Sequence, residues 1–365
     1  MNDPAPMDGK SRRPTIIDVA AAAGVSRTQA SAALTGNGRV AEVTRQRVVA
    51  VAEQLGYRAN TSARNLRKAR TGVLALALPE FGKDKGDEDS VAIEIYVRTR
   101  IAAASAAFAR GYALTILPSR DQLEWIRQIA CDGLLVVDPG RNDPRLTLAE
   151  EMAIPYVTIE RDLARENDYF VASDTAINTR LLLNHLAERG AKRIALLVPD
   201  LEWAWVDETL SAYQQWSRAQ GRKEVIARAA VNRLEPAGYE ACKAFLTASD
   251  PPDAIFAMAN NYAFGALRAA AELGIEIPRQ LMIAAGVDTR ANQYVTPPLT
   301  ALEINPERTA AKAIEMLARL VVGERVEQVQ MVTGSVMART STAVAATHGG
   351  GALIKDGDGL GSAVA

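Results

Sequence analysis

Cysteine and histidine are almost missing from this chain: its 365 residues contain two of each. Cys131 and Cys242 lie far apart, in apolar surroundings and without metal-ligand spacing. That excludes a disulfide framework or a zinc motif, and reads as two buried free thiols in a reducing cytosol. His185 falls in a helical pattern and His348 in a Gly-rich tail, so neither marks a catalytic or metal site, and no cofactor is expected. No Ser/His/acid or paired-carboxylate constellation stands out, which argues against an enzyme. Apolar runs fall short of the ~18 residues a membrane span needs. Residues 1–13 carry Pro, Asp, Lys and Arg but no apolar core, so no export signal is expected and the predicted location is cytoplasmic.

Net charge is also nearly absent, at −1, but it is unevenly spread. Residues 1–70 hold twelve Lys/Arg against five Asp/Glu, and the remainder thirty against thirty-eight. A basic head on an acidic body places contact with a polyanion in the head. The chain is too long for one ordinary domain and long enough to bury substantial cores.

The head shows the punctuation of a helix-turn-helix. Thr15, with Asp18 three residues on, starts a first helix, and Gly24 suits the left-handed position that ends it. Ser26 and Gln29 form an S-x-x-Q capping box that opens a second helix running to about Leu34. Thr35 to Arg39 is a turn-rich loop. A third helix follows from about Val43 to Leu55, with Val48, Val51, Ala52 and Leu55 on its apolar face, although Ala41 stands where a capping Ser or Thr is usual. The basic stretch from Tyr57 to Arg70 reads as a linker or a short helix with Leu66 as its large apolar residue.

From Thr71 onward strands and helices alternate. Apolar runs at Val73–Leu78, Ala113–Leu117, Gly133–Val137, Tyr156–Ile159, Ile194–Val198, Val225–Val231, Ala254–Ala257 and Leu281–Ala285 are separated by helical patterns. Continuous apolar strands predict parallel sheets covered on both faces. About eight of them over some 270 residues suit two doubly wound lobes, with a ligand between them at the carboxyl ends of the strands. The expected fold is α/β: an all-α helix-turn-helix head on a two-lobed doubly wound body. The predicted divisions are a tail at 1–13, a DNA-binding head at 14–59, a hinge at 60–70, a body at 71–342 and a Gly-rich tail at 343–365.

Spaced motifs sharpen this. The head contains Asp18-Val19-Ala20, Ala23-Gly24-Val25-Ser26, Val40, Thr44, Val48, Leu55-Gly56-Tyr57, Asn60, Ala63 and Leu66. The body contains Leu186-Ala187-Glu188-Arg189-Gly190, Arg193-Ile194-Ala195, Ala259-Asn260-Asn261 with Gly265, Gly274-Ile275 through Ile277-Pro278, Gly286-Val287-Asp288 and Pro297-Pro298-Leu299-Thr300. Over residues 14–342 the chain resembles the LacI/GalR (lactose-repressor) family of transcriptional regulators, and its body resembles periplasmic sugar-binding proteins.

The resemblance implies that the second helix enters the major groove of a near-palindromic operator and that a hinge helix enters the minor groove. Arg27, Thr28 and Gln29 then stand at the exposed start of the recognition helix. Arg suits guanine and Gln suits adenine, each worth ~1–3 kcal/mol of discrimination. Ser26, Ser31 and Thr35 are expected on phosphate. Asn60, Ala63, Leu66 and Arg67 fall in the hinge, with Leu66 matching the family's minor-groove wedge. Two departures are visible: Ala32 stands where a base-reading Arg is usual, and Ala59 where a Pro often precedes the hinge helix.

The body is expected to hold a small-molecule effector. By resemblance Asn260 and Asp288 contact it, and Glu80, Arg161, Asp174, Trp205 and Thr209 are placed at the cleft. Asp288 has the alternative reading of a cap or turn residue, and Arg161 that of a surface ion pair. Thr209 replaces a ligand-binding Arg, and Ile304 a common Gln, which points away from a plain sugar. Ring stacking on Trp203 or Trp205, and a cation beside Asp207 or Glu208, are the alternatives, along with a surface loop. A homodimeric regulator that acts as a repressor and is nucleoid-associated is what the resemblance implies. A protein partner in place of the effector, or a solute-binding protein on the same fold, are the rival readings.

Overall fold

The computed structural model describes residues 14–35, 40–57, 70–79, 90–118 and 121–343. The chain divides into two compact units after Gly72.

In the first unit, helices α1 (Ile16–Ala23), α2 (Arg27–Thr35) and α3 (Glu42–Gln54) pack around Val19, Ala20, Ala23, Ala30, Ala33, Val48 and Ala52. The Thr15 N–H and hydroxyl both donate to Asp18 Oδ2 at 2.6 Å, fixing the start of α1. Gly24 ends it at φ +65°, with its N–H and that of Val25 returned to Ala21 and Ala20 carbonyls. Ala41 supplies no side-chain cap to α3. That helix stops at Gln54, so Leu55, expected on its apolar face, is instead an exposed terminal residue.

The second unit contains two six-stranded sheets. In the first, β1 (Val73–Ala77), β2 (Ala113–Ile116), β3 (Gly133–Val137), β4 (Tyr156–Ile159), β5 (Phe170–Ser173) and β11 (Val329–Val332) are all parallel, in the order β11-β5-β4-β3-β1-β2. In the second, β6 (Ile194–Pro199), β7 (Val225–Ala229), β8 (Ala254–Ala257), β9 (Met282–Ala285), β10 (Thr300–Glu303) and β12 (Ser335–Met337) run β12-β10-β9-β8-β6-β7, with only β12 antiparallel. The first lobe carries α4 (Ser90–Ala109), α5 (Gln122–Gln128) and α6 (Pro144–Glu151), and the second α7 (Thr175–Glu188), α8 (Ala204–Ala219), α9 (Leu234–Leu246) and α10 (Asn260–Glu272). Helix α11 (Pro306–Val321) follows a strand of the second lobe but buries Ala310, Ala313, Ile314 and Leu317 against the first.

The chain therefore crosses between lobes three times: after β5, after β10 and after β11. One side chain joins two of these passages. Buried Asn178 donates Nδ2 to Ser173 Oγ at 2.8 Å and accepts the Gly334 N–H at 2.8 Å. The third passage lies against them, because a Cβ on Gly334 would stand 2.5 Å from the Glu303 carbonyl oxygen.

Four strands exceed the eight expected from apolar runs. Phe170–Ser173, Thr300–Glu303, Val329–Val332 and Ser335–Met337 are only three or four residues long, and the last two keep alternate residues exposed as edge strands do.

Candidate nucleic-acid interface and interlobe cleft

On the head, Ser26, Arg27, Thr28 and Gln29 are all exposed at the amino end of α2, beside the sharp turn at Gly24. The box closes in both directions: Ser26 N–H donates to Gln29 Oε1 at 3.1 Å, and Gln29 N–H donates to Ser26 Oγ at 3.2 Å. The Gln29 side-chain oxygen thus shapes the start of the helix, on a residue that is exposed as a whole. Ser31 and Ala32 are half-buried one turn on. Thr35 ends α2, and its side chain is outside the described residues, as are Asn60, Ala63, Leu66 and Arg67 of the expected hinge.

In the body, the carboxyl ends of both sheets face a common cleft, where doubly wound folds place ligands. Asp138 follows β3 and Glu160 follows β4, each in left-handed backbone, at φ +46° and +64°. Non-glycine residues there are uncommon and cluster at functional sites. Tyr96 Oη of α4 donates to Asp138 Oδ2 at 2.8 Å, and the Trp205 indole of the opposite lobe donates to the same carboxylate. Burial pushes the Asp138 carboxyl up to about 6, against the pull of these donors and of Arg145. Burial and the negative charge of Asp138 raise Glu160 well above the usual carboxylate range, although the Ser173 N–H donates to it at 2.9 Å. Burial and the same Asp138 charge raise the Tyr96 phenol, so it stays a donor.

The two lobes touch through further side chains. Arg161 pairs with Glu208 of α8 at 2.6 Å. Arg98 of α4 reaches Glu303 at 3.0 Å and Glu307 at 2.6 Å, and also meets the Asp288 carbonyl. A cavity of about 610 Å³ opens beside Arg98, lined also by Glu94, Asp288 and Arg290.

The expected effector residues fall into distinct places. Trp205 is half-buried against Asp138, with the Trp203 ring edge-on at 5.7 Å. Arg161 is in the ion pair that was its alternative reading, but across the cleft. Asn260 opens α10, is 6% exposed, and donates to Thr289 Oγ1 at 2.7 Å; its Oδ1 is buried without a partner. Asp288 forms a two-pronged ion pair with Arg339, at 2.7 and 2.8 Å. Asp174 is the N-cap of α7, its carboxylate accepting the Ile177 N–H at 3.2 Å, so it serves a helix end at a crossover. Thr209 is turned inward: it is 1% exposed and donates to the Trp205 carbonyl, within the packing of α7 on α8. Glu80 is outside the described residues.

Sequence reasoning missed Tyr96, Asp138 and Glu160. A signal was present for the last two, since each is the residue directly after an apolar run read as a strand. Cys242 is buried, with its thiol pushed up to about 12, and Cys131 is half-buried; both are free. His185 meets Thr342 Oγ1 at 2.8 Å, and burial lowers its pKa. No helix among the described residues is long and apolar enough to cross a membrane.

A three-helix head with an outward second helix, joined to two sheets facing one cleft, defines a ligand-responsive DNA-binding regulator. The profile for bacterial regulatory proteins of the lacI family matches residues 15–60, and that for the periplasmic binding protein-like domain matches residues 183–342. The chain belongs to the LacI family of transcriptional regulators. It is 26% identical over 332 residues to the HTH-type transcriptional regulator CelR of Thermobifida fusca, covering 88% of this chain and 96% of that one. It is 28% identical over 324 residues to the HTH-type transcriptional repressor PurR of Proteus mirabilis, covering 85% and 91%. Among solved structures, a lac repressor dimer bound to operator and the anti-inducer ONPF superposes with a TM-score of 0.71 at 20% identity, over 91% of this chain and 99% of that one. A CelR–cellobiose complex gives 0.67 at 23% identity, over 90% and 100%. Those two structures share the fold.

Proposed function

We propose that this regulator is a dimeric repressor whose head reads a near-palindromic operator through Arg27, Thr28 and Gln29, and whose operator affinity is set by a small molecule bound in the interlobe cleft. The observation that supports the DNA reading most directly is the cluster of exposed polar residues, Ser26 to Gln29, opening a helix on a basic head. Phosphate contacts from Ser26, Ser31 and Thr35 set the register, and the hinge at 60–70 supplies Leu66 as wedge and Arg67 in the opened minor groove.

Ala32 replaces a side chain able to donate to a base with a methyl group that suits only a thymine methyl. The operator therefore differs from the family's common half-site at that pair. Selection of bound sequences from random DNA with the full chain tests this, and recovery of the usual half-site unchanged would refute it.

The dimer is supported by an unpartnered apolar face on the first lobe. Ile101 and Phe108 of α4 are 64% and 83% exposed, two turns apart, and Ile116 of the neighbouring edge strand is 45% exposed. A second copy of the chain covers this face in a two-fold pairing that matches a palindrome. Sedimentation of the Phe108→Glu variant is expected to show a monomer with weakened operator binding.

A ligand shifts operator affinity only by its differential preference for two states of the body. The Arg161–Glu208 and Asp138–Trp205 contacts join the lobes and are the ones a cleft ligand must join or displace. The small-molecule reading is tested by adding metabolites to the operator complex: release or tightening supports it, and indifference to every class of metabolite refutes it.

A further inference from the structure

The unmet hydrogen-bonding capacity around the cleft is of one kind. Glu160 is 9% exposed, and its Oε1 accepts the Ser173 N–H at 2.9 Å. Asp138 is met by donors from both lobes, but by neutral ones, the Tyr96 hydroxyl and the Trp205 indole. On the other lobe, at the carboxyl end of β8, the buried Asn260 Oδ1 has no donor at all. A buried acceptor left without a donor costs ~1–3 kcal/mol, so a ligand that supplies donors is favoured.

Positive charge nearby is already engaged. Arg161 is paired with Glu208. Arg145 is held by Asp143 at 2.6 Å, and by the Leu78 carbonyl and Gln122. Among the described residues no Arg or Lys forms an ion pair with Asp138 or Glu160. Asp138 and Glu160 stand at adjacent strand ends, where burial is the main cause that holds both carboxyls high; the charges of Asp138 and Glu208 add to it at Glu160, against the weaker pull of Arg161 there and of Arg145 at Asp138. A neutral polyol supplies donors but leaves that repulsion in place. A cation supplies donors and removes it, and Tyr96 and Trp205 offer aromatic surface beside it.

We propose that the effector is a compact organic cation, an amine carrying several N–H donors, seated between Asp138 and Glu160 beside Tyr96 and Trp205. The proposal rests on reading the cleft as the effector site. Its ammonium competes with the proton that Asp138 takes up at mildly acidic pH, so its affinity rises with pH.

The test is thermal shift and calorimetry on the full chain with probes matched in shape and differing in charge: putrescine against 1,4-butanediol, glucosamine against glucose, and benzylamine against benzyl alcohol, with cellobiose as a neutral disaccharide. At least one amine is expected to stabilise the chain and to bind about tenfold or more tightly than its neutral twin. Its affinity should fall as pH is lowered from about 7.5 to about 5.5, where Asp138 takes up a proton. Glu160→Gln and Asp138→Asn should each weaken it about tenfold while keeping a cooperative melt. Equal or tighter binding of a neutral twin or of cellobiose, or no stabilisation by any amine of the set, overturns the cation assignment. A neutral probe that also releases or tightens operator leaves the effector reading standing, so the two failures are distinguishable.

Discussion

The Asn178 side-chain oxygen accepts the Gly334 N–H at 2.8 Å, tying the passage after β5 to the passage after β11. The same amide donates to Ser173 Oγ, so one 2%-exposed side chain holds two of the three strands that a lobe movement must bend. Replacing it with Ala leaves the Gly334 N–H without its partner in a close-packed hinge. Asn178→Ala is expected to lose ~1–3 kcal/mol, with a larger change in effector response than in operator affinity. Urea unfolding and operator titration with and without effector measure the two; an unchanged effector response would remove the hinge role.

Gly265 of α10 sits where a Cβ would meet the Tyr239 nitrogen at 2.3 Å and the Glu235 oxygen at 2.6 Å, both backbone atoms of α9. Gly238 of α9 likewise faces the Tyr262 Cα at 2.4 Å. The two helices therefore approach closely through paired glycines. Gly265→Ala forces them apart and is expected to destabilise the second lobe by ~1–3 kcal/mol or more, read as a lowered Tm. A Tm equal to that of the parent chain would show that the contact yields freely.

The legible parts of the sequence were those with strong periodicity. The strands at Val73, Gly133, Ile194 and Ala254 are buried along nearly their whole length and read as apolar runs without help from partners. The capping boxes at Thr15 and Ser26 are local, needing only residues three apart, and both form. What escaped was set by distant contacts. Strand β11 pairs with β5 across more than 150 residues of chain and has exposed Val329 and Met331, so nothing in its own pattern marks it. Thr209 looked like a cleft residue from its match to the family's position for a ligand-binding Arg, and Asp174 from its place near a strand end. Helix packing and a helix cap had already claimed their side chains, which a linear pattern does not reveal.

Asp288 and Arg339 form a two-pronged pair at 2.7 and 2.8 Å, with side chains 9% and 14% exposed. Removing one partner leaves a charge buried without compensation. Asp288→Ala is expected to cost ~3–5 kcal/mol, and Asp288→Ala with Arg339→Met to recover much of that loss. A double-mutant cycle in urea gives the coupling; additive losses would show that the pair contributes nothing by its contact.

Gln29 has two tasks under the proposed reading, one inside the helix cap and one on DNA. Gln29→Glu keeps an acceptor for the Ser26 N–H but removes the amide donor that pairs with adenine. Head stability is expected to hold within ~0.5 kcal/mol, while discrimination between operator and non-operator DNA falls by ~1–3 kcal/mol. Titrations of both DNAs at one salt concentration check this. An equal drop on both would show that the change acts through phosphate repulsion alone.

The carboxyl of Asp138 is held at about 6, above its usual range, because burial disfavours its charged form. The folded chain therefore binds this proton more tightly than the unfolded chain does. The stability so gained is complete below the ordinary carboxylate range and is lost as pH rises through about 6. Asp138→Asn removes the titration and also relieves Glu160, whose carboxyl is raised partly by the Asp138 charge. At pH values above about 7 the variant is expected to melt higher than the parent chain, and the gap should close as pH falls toward about 4. Parallel melts across that range, without effector, decide the matter: a gap that stays constant with pH would mean that Asp138 carries its charge in the folded cleft at no cost.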